Sequence, residues 1–162
     1  MSAVTIRPYR AAEPSYVSYL QMKFYREHFG FNESFEYYLL DAMAKFISSH
    51  HGSQLWVAVD GQEVIGSIAM VKAEDNSAQL RWFFVDDRYQ GRGIGKKLIE
   101  TAMGFAREQR CAAAFLWTIS SLPSARHLYE IAGFELIESK PNNEWASIEL
   151  TEQKWELTLS AK

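Results

Sequence analysis

A single cysteine, Cys111, stands in a chain of 162 residues. No internal disulfide can form, so packing must hold the fold, and a reducing compartment is expected. Positive charge is not in excess either, because 17 Lys and Arg face 20 Asp and Glu for a formal net charge of -3. A general nucleic-acid binder carries a basic surface, which disfavours that class. No apolar run approaches the length of a membrane span, and the opening MSAVTIRPYR lacks a signal-peptide core. A cytoplasmic protein without membrane or nucleic-acid partners is therefore expected. No repeat, low-complexity tract or Pro/Gly/Ser linker divides the sequence, so residues 1–162 read as one domain.

Chemical motifs are few. His50 and His51 are adjacent, a poor geometry for one metal, and no Cys/His cluster exists. No metal is expected. A G-x-S-x-G nucleophile elbow is missing, so Ser120 and Ser121 have no hydrolase context. Cys111 reads as a small buried hydrophobe.

Apolar residues make up 48% of the chain and aromatics 14%, enough for a sizeable core. Val4 to Tyr9 alternates like a strand. Glu13 to His28 and Glu33 to Ser49 carry helical spacing, the first through Val17, Leu20, Phe24 and Phe29, the second through Phe35, Leu39, Met43 and Phe46. QLWVAVDGQEVIGSIAMVKA folds back at Asp60-Gly61 as a hairpin, and Ala78 to Val85 is a further strand. A helix from Ile94 to about Gln109, a strand in AAAFLWTIS, a short helix in SARHLYEIA capped by Gly133, and strands in FELIES and QKWELTL complete the pattern. The class is α/β: a mixed, mostly antiparallel twisted sheet of about seven strands flanked by about four helices.

One stretch stands out. Gly91, Gly93 and Gly95 fall within five positions between a strand and a helix. Spacing fails the Rossmann fingerprint, because Lys96 occupies the place of the third glycine. It fails the Walker loop as well, with Gln90 and Lys97 at required positions. A turn without chemical consequence is one remaining reading. An anion cradle is the other: unpaired N–H groups at a helix start converge on one spot, small residues admit close approach, and Arg92, Lys96 and Lys97 add charge.

Gln90-Gly91-Arg92-Gly93-Ile94-Gly95 matches the Q/R-x-x-G-x-G/A motif of the GNAT acetyltransferase superfamily, and ARHLYEIAGFELIE (Ala125 to Glu138) resembles its second landmark. YREHFGFNESFEYYL, LRWFFVDDRYQGRGIGKKL and FLWTISSLPSARHLYEIAGF look particularly like acetyltransferase domains fused to multiple-antibiotic-resistance-type winged-helix regulators. The resemblance covers essentially the whole chain.

It implies a sheet splayed between the strands of Arg81 and Trp117, a parallel pair, with acetyl-CoA as cosubstrate in the gap. Backbone groups of Phe83, Phe84 and Val85 would pair with the pantetheine arm. Gln90, Gly91, Arg92, Gly93, Ile94, Gly95 and Lys96 would hold the pyrophosphate. Tyr129 occupies the general-acid position, and a main-chain N–H near Phe84 or Val85 would face the developing oxyanion. The expected activity is direct acetyl transfer to a primary amine, small-molecule or peptide, within a ternary complex. A non-catalytic acyl-CoA sensor or regulatory partner module is the alternative, and a homodimer is a family habit. Arg81 either binds an acidic group of the acceptor or is merely solvated. Glu27, His28 and Glu36 are the candidates to accept the amine's proton. Leu122 departs from the asparagine common in the family, and Ser121 or Ser124 is the candidate substitute on the cofactor side.

Overall fold

The structure is a computed structural model and describes residues 3–159. Elements run in the order β1 (Val4–Pro8), α1 (Glu13–Phe29), α2 (Glu33–Ser48), β2 (Gln54–Asp60), β3 (Glu63–Lys72), β4 (Ser77–Val85), α3 (Ile94–Glu108), β5 (Ala113–Ile119), α4 (Pro123–Ala132), β6 (Glu135–Asn142) and β7 (Leu150–Thr158). Seven strands join one sheet in the order β1-β2-β3-β4-β5-β7-β6. Only β4 and β5 pair in parallel, and all other neighbours are antiparallel.

Local sequence explains the boundaries. Pro14 sits in the first turn of α1, where a missing N–H costs nothing, and Gly30 closes that helix at φ +69°. The Asn32 side chain caps α2, accepting from Ser34 N at 2.9 Å and Phe35 N at 3.4 Å. The Asp60-Gly61 turn joins β2 to β3 as expected, with Gly61 at φ +64°.

Two apolar clusters cover opposite faces of the sheet. Beneath α3 and α4 lie Ile65, Ile68, Met70, Leu98, Leu116 and Trp155. Beneath α1 and α2 lie Val17, Leu39, Phe46, Leu55, Val57 and Trp82. Cys111 is buried beside the first cluster, and burial pushes its thiol up.

Two details depart from the expected pattern. Helix α1 buries Pro14, Val17, Ser18 and Gln21, whereas Leu20 and Phe24 are only half-buried. Its inward face is rotated because those two side chains line an open trough instead of the core. Strand β6 runs on past Ser139 to Asn142, through Pro141. Proline is tolerated because β6 is the sheet's edge, where one side of the strand has no ladder to break. Among the described residues, no helix is long and apolar enough to cross a membrane.

Candidate functional site

The ladder between β4 and β5 is short. Ser77, Ala78 and Gln79 face Ala113, Ala114 and Phe115, and there the pairing stops. Beyond Gln79 the strands part, so one side of β4 from Leu80 to Val85 has no partner strand.

A bulge in β4 sits at the mouth of this wedge. Ser67 opposes Phe84 and Ala69 opposes Arg81, which leaves Trp82 and Phe83 facing Ile68 alone. Trp82 adopts φ +50°, a left-handed conformation that costs a bulky side chain energy. Buried Ser67 holds it, donating from Oγ to the Trp82 carbonyl at 2.6 Å. The bulge lets Trp82 join the core under α1 and α2, while Phe83 packs toward α3 and α4. Nothing in the sequence pattern announces it.

A chamber of about 120 Å³ fills the wedge. Its walls are strongly aromatic, with Tyr25, Phe35, Tyr38, Trp117, Tyr129 and Trp145 among the lining residues. Tyr129, only 6% exposed, sits on α4 against Phe83, ring centroids 6.0 Å apart. Its hydroxyl has no hydrogen-bond partner among the described residues. Burial first, and the neighbouring Tyr25 second, push its phenol well above the usual tyrosine range. Burial also pushes Tyr25 up to about 12.

Arg81 lies in the chamber wall rather than out in solvent. It is half-buried and donates to Gln79 Oε1 and to the Tyr38 hydroxyl, each at 3.2 Å. No carboxylate pairs with it among the described residues.

The glycine stretch forms the far end of the same open region. Ile94 starts α3, and Gly93 caps it at φ +80° with no side-chain hydrogen bond, so the helix's first N–H groups remain open. A Cβ placed on Gly91, also at φ +80°, or on Gly93 would meet no protein atom within 4 Å. Their bareness serves no internal packing. Gly95 is different: a Cβ there would come within 3.0 Å of Leu128 and 3.4 Å of Phe83, so this glycine lets α3 approach α4. A groove of about 560 Å³ is lined by Phe83, Val85, Gln90, Gly91, Gly93, Ile94, Gly95 and Lys96 from one side and Ser124, His127 and Leu128 from the other.

A second trough, about 480 Å³, shares Phe83, Val85, Gln90 and Ser124 with that groove and Gln21, Tyr25, Leu122 and Ala125 with the chamber. Phe84 lines it as well. The three spaces form one path from the glycine loop to the wedge.

The other expected residues of this end divide between the groove and its surroundings. Arg92 does not line the groove; its guanidinium folds back 4.9 Å from the Tyr89 ring. Arg88, close by, is committed to Asp86 and Glu63. Gln90 lines the groove while donating to the Val85 carbonyl and Asp87. Ser124 lines the groove; Ser121 does not.

None of the three candidate proton acceptors reaches the chamber. Glu27 and His28 stand at the outer trough, the His28 ring stacked on Phe24 at 4.2 Å. Glu36 faces the opposite side, a groove between α1 and α2 that contains Arg26 and Glu33. The turn of α1 that buries Gln21 and Tyr25 inward carries Glu27 and His28 outward. The carboxylate among the described residues lining the chamber is Glu152 near the start of β7, and the register of β7 against β5, which alternation along β7 alone does not reveal, puts it on the face of Trp117. Among the described residues, no group of three or more His, Cys, Asp or Glu is placed to hold a metal ion.

Comparison with known proteins agrees with this architecture. The human protein named N-acetyltransferase 8B is 31% identical over 111 residues, 65% of this chain and 49% of its own length. Human N-acetylaspartate synthetase is 38% identical over 84 residues, 51% of this chain and 28% of the relative. The chain thus spans about half or less of these curated relatives. A GNAT family acetyltransferase from Elizabethkingia anophelis, solved with acetyl-CoA bound, shares the fold at a TM-score of 0.67 and 18% identity, over 96% of this chain and 98% of that one. The model of the acetyltransferase (GNAT) family matches residues 15–134, most of the chain, and the protein belongs to that family.

Proposed function

We propose that the chain, acting as one domain, is an N-acetyltransferase that moves an acetyl group from acetyl-CoA directly to a primary amine, on a small acceptor that also carries an acidic group. The observation that carries this reading is the path itself: a bare glycine loop at one end and Tyr129 with Arg81 in the wedge at the other.

The residues present fit the cofactor. Gly91 and Gly93 leave open the space a Cβ would fill, and uncapped α3 N–H groups border the same groove, as a pyrophosphate requires. Lys96 adds a charge at that end. Unpaired backbone from Phe83 to Val85 gives the pantetheine arm an edge to pair with, in the manner of an added strand. Acetyl-CoA, when bound, supplies the thioester.

The chain's own groups do the remainder. Tyr129 directs an unpartnered hydroxyl to the wedge, where it donates a proton to the departing sulfur. A β4 main-chain N–H near Phe84 or Val85 faces the developing negative charge on oxygen. Aromatic walls exclude water and so strengthen both interactions. Arg81, with no carboxylate partner among the described residues, holds an acidic group of the acceptor. Likeness to proteins named N-acetylaspartate synthetase supports that last step.

The test is a panel of amines with thiol detection: L-aspartate, L-glutamate, glycine, putrescine and benzylamine. Acceptor-dependent thiol release, strongest for the acidic amino acids, is expected. Acetyl-CoA binding without release for any amine would favour a cofactor sensor instead.

A further inference from the structure

Of the described residues lining the chamber, two carry charge: Arg81 from β4 and Glu152 from β7. Glu152 pairs in register with Ile119, at the end of β5 beyond the point where β4 and β5 part. It is half-buried, and no Lys or Arg forms an ion pair with it among the described residues.

Its orientation is fixed by one donor. Asn142, 8% exposed, donates from Nδ2 to Glu152 Oε2 at 2.9 Å. The same Asn142 accepts through Oδ1 from Glu144 N at 2.9 Å and Trp145 N at 3.3 Å. That turn is tied to the helical layer, because Asn32 N donates to the Trp145 carbonyl at 2.8 Å. Trp145 in turn packs on Tyr38, ring centroids 5.4 Å apart. One buried amide therefore aims a carboxylate into the chamber and anchors the loop that closes the aromatic wall. The second carboxylate oxygen keeps its lone pairs.

Other charged and titratable groups around Glu152 are accounted for. Lys140, its register partner on β6, places its ammonium 4.7 Å from the Trp117 ring centroid. Lys154, two residues along the same face, lies 4.8 Å from the Phe115 ring. Arg81, Tyr38, Tyr25 and Tyr129 complete the surroundings from β4, α2, α1 and α4.

We propose that Glu152 binds the acceptor's ammonium and takes its proton, so that an acceptor lies between Glu152 and Arg81 as a zwitterion would. This rests on the acetyl-transfer reading above. The ammonium gives one proton to Glu152, which passes it to solvent. The neutral nitrogen then forms the C–N bond as the C–S bond breaks, its electron pair leaving on sulfur. Tyr129 protonates that sulfur, and the second nitrogen proton, shed as the amide forms, returns through water to the phenolate. In total one proton ends on the thiol and one in solvent.

Glu152→Gln preserves the oxygen that Asn142 donates to, so the fold should survive. With the panel amine that the parent protein acetylates fastest, kcat/KM at pH 7 should fall by about 10²–10⁴-fold, the span of a positioned base. As pH climbs toward the amine's own pKa, solution supplies the neutral form and the deficit should shrink. Glu152→Asp, which keeps a carboxylate but withdraws it, should recover part of the loss. Calorimetry in the presence of coenzyme A supplies a readout apart from turnover. The parent should bind the amine at least about tenfold more tightly than its amine-free counterpart (succinate, where L-aspartate is the amine), and Glu152→Gln should lose that preference with unchanged acetyl-CoA affinity.

A deficit that is the same at every pH, or equal losses in the Gln and Asp variants, would overturn the role. So would parental activity in Glu152→Gln, and in each of these cases the acetyl-transfer reading would stand. A parent that releases no thiol with any panel amine would overturn both.

Discussion

The Arg81 guanidinium stands over the Tyr38 ring, 5.5 Å from its centroid, and donates to that tyrosine's hydroxyl at 3.2 Å. It also lies 5.3 Å from the ring of Trp82, the bulged residue of β4. Two aromatic faces and one hydroxyl hold the cation in place without neutralising it. A guanidinium so held meets a carboxylate with little further loss of rotamer freedom.

Arg81→Ala should therefore raise the KM for L-aspartate by about 10–150-fold, the equivalent of roughly 1.5–3 kcal/mol for a charged hydrogen bond. Affinity for acetyl-CoA should not change. Putrescine, which has no carboxylate, should be little affected. Equal losses on both amines would return Arg81 to a purely structural role in the wall.

The glycines separate into two kinds. Gly93→Val should raise the KM for acetyl-CoA at least about tenfold, because a side chain would fill the open approach to the α3 N–H groups. It also forces a β-branched residue into φ +80°, costing roughly 1–2 kcal/mol of stability. Gly61→Val is the matched control. That turn glycine also has positive φ and empty space around its Cβ, yet lies in the β2–β3 hairpin. It should lose similar stability in urea titration and leave acetyl-CoA binding intact.

Much of this arrangement is legible in the sequence because it obeys simple periods. Helix α2 buries Phe35, Leu39, Met43 and Phe46, as their spacing requires. The parallel pairing of β4 with β5 follows from the single helix between them, and the glycine loop announces itself by density, whereas the insertion of β7 between β5 and β6 has no local signal. What escapes is the part made by contacts between distant segments. Glu152 and Asn142 lie 10 residues apart and meet because β6 and β7 pair in register. In the sequence, Glu152 reads as one charge in the alternating polar face of a strand. Glu27 and His28 stand at the trough and not in the chamber for a related reason. A rotation of α1 by part of a turn, set by which residues pack on Phe31 and Phe35, moves them from chamber to rim. The Trp82 bulge depends on a hydrogen bond from Ser67 in the next strand, which no local pattern records.

Stability in alkali should depend on two phenols. Tyr25 and Tyr129 both have pKa values raised by burial above the ordinary value near 10 that an unfolded chain gives. Each contributes stability that is complete below about pH 10. Above it, the unfolded chain releases protons that the folded chain retains, so stability falls. The slope reaches at most about 1.4 kcal/mol per pH unit for each group, and for Tyr25 the loss ends near pH 12. Urea unfolding at pH 9, 10 and 11 should show a decline that is shallower in Tyr25→Phe and in Tyr129→Phe than in the parent. Parallel declines in all three proteins would contradict the burial argument.

Tyr129→Phe is the variant on which acetyl transfer and cofactor sensing diverge most. The ring and its packing on Phe83 and Phe134 survive, and the lost hydroxyl has no partner among the described residues, so folding should change little at neutral pH. In the resting protein a phenol held above its usual range is a poor acid. As the proposed acid it would become useful only once negative charge developed on a departing sulfur, since that charge would stabilise the bridging proton while a positive nitrogen formed. Such a donor would be matched to the transition state and not to the bound thioester. On that argument kcat should fall by about 10²–10⁴-fold while acetyl-CoA affinity, measured by calorimetry, shifts far less. The parent's rate should rise with pH as the amine loses its proton. Its decline should not set in near pH 10, where an exposed tyrosine would ionise, because burial moves that event upward. Parental turnover by Tyr129→Phe on the best panel amine would remove the acid from Tyr129, and a falling limb centred near pH 10 would mean that another group controls the high-pH rate.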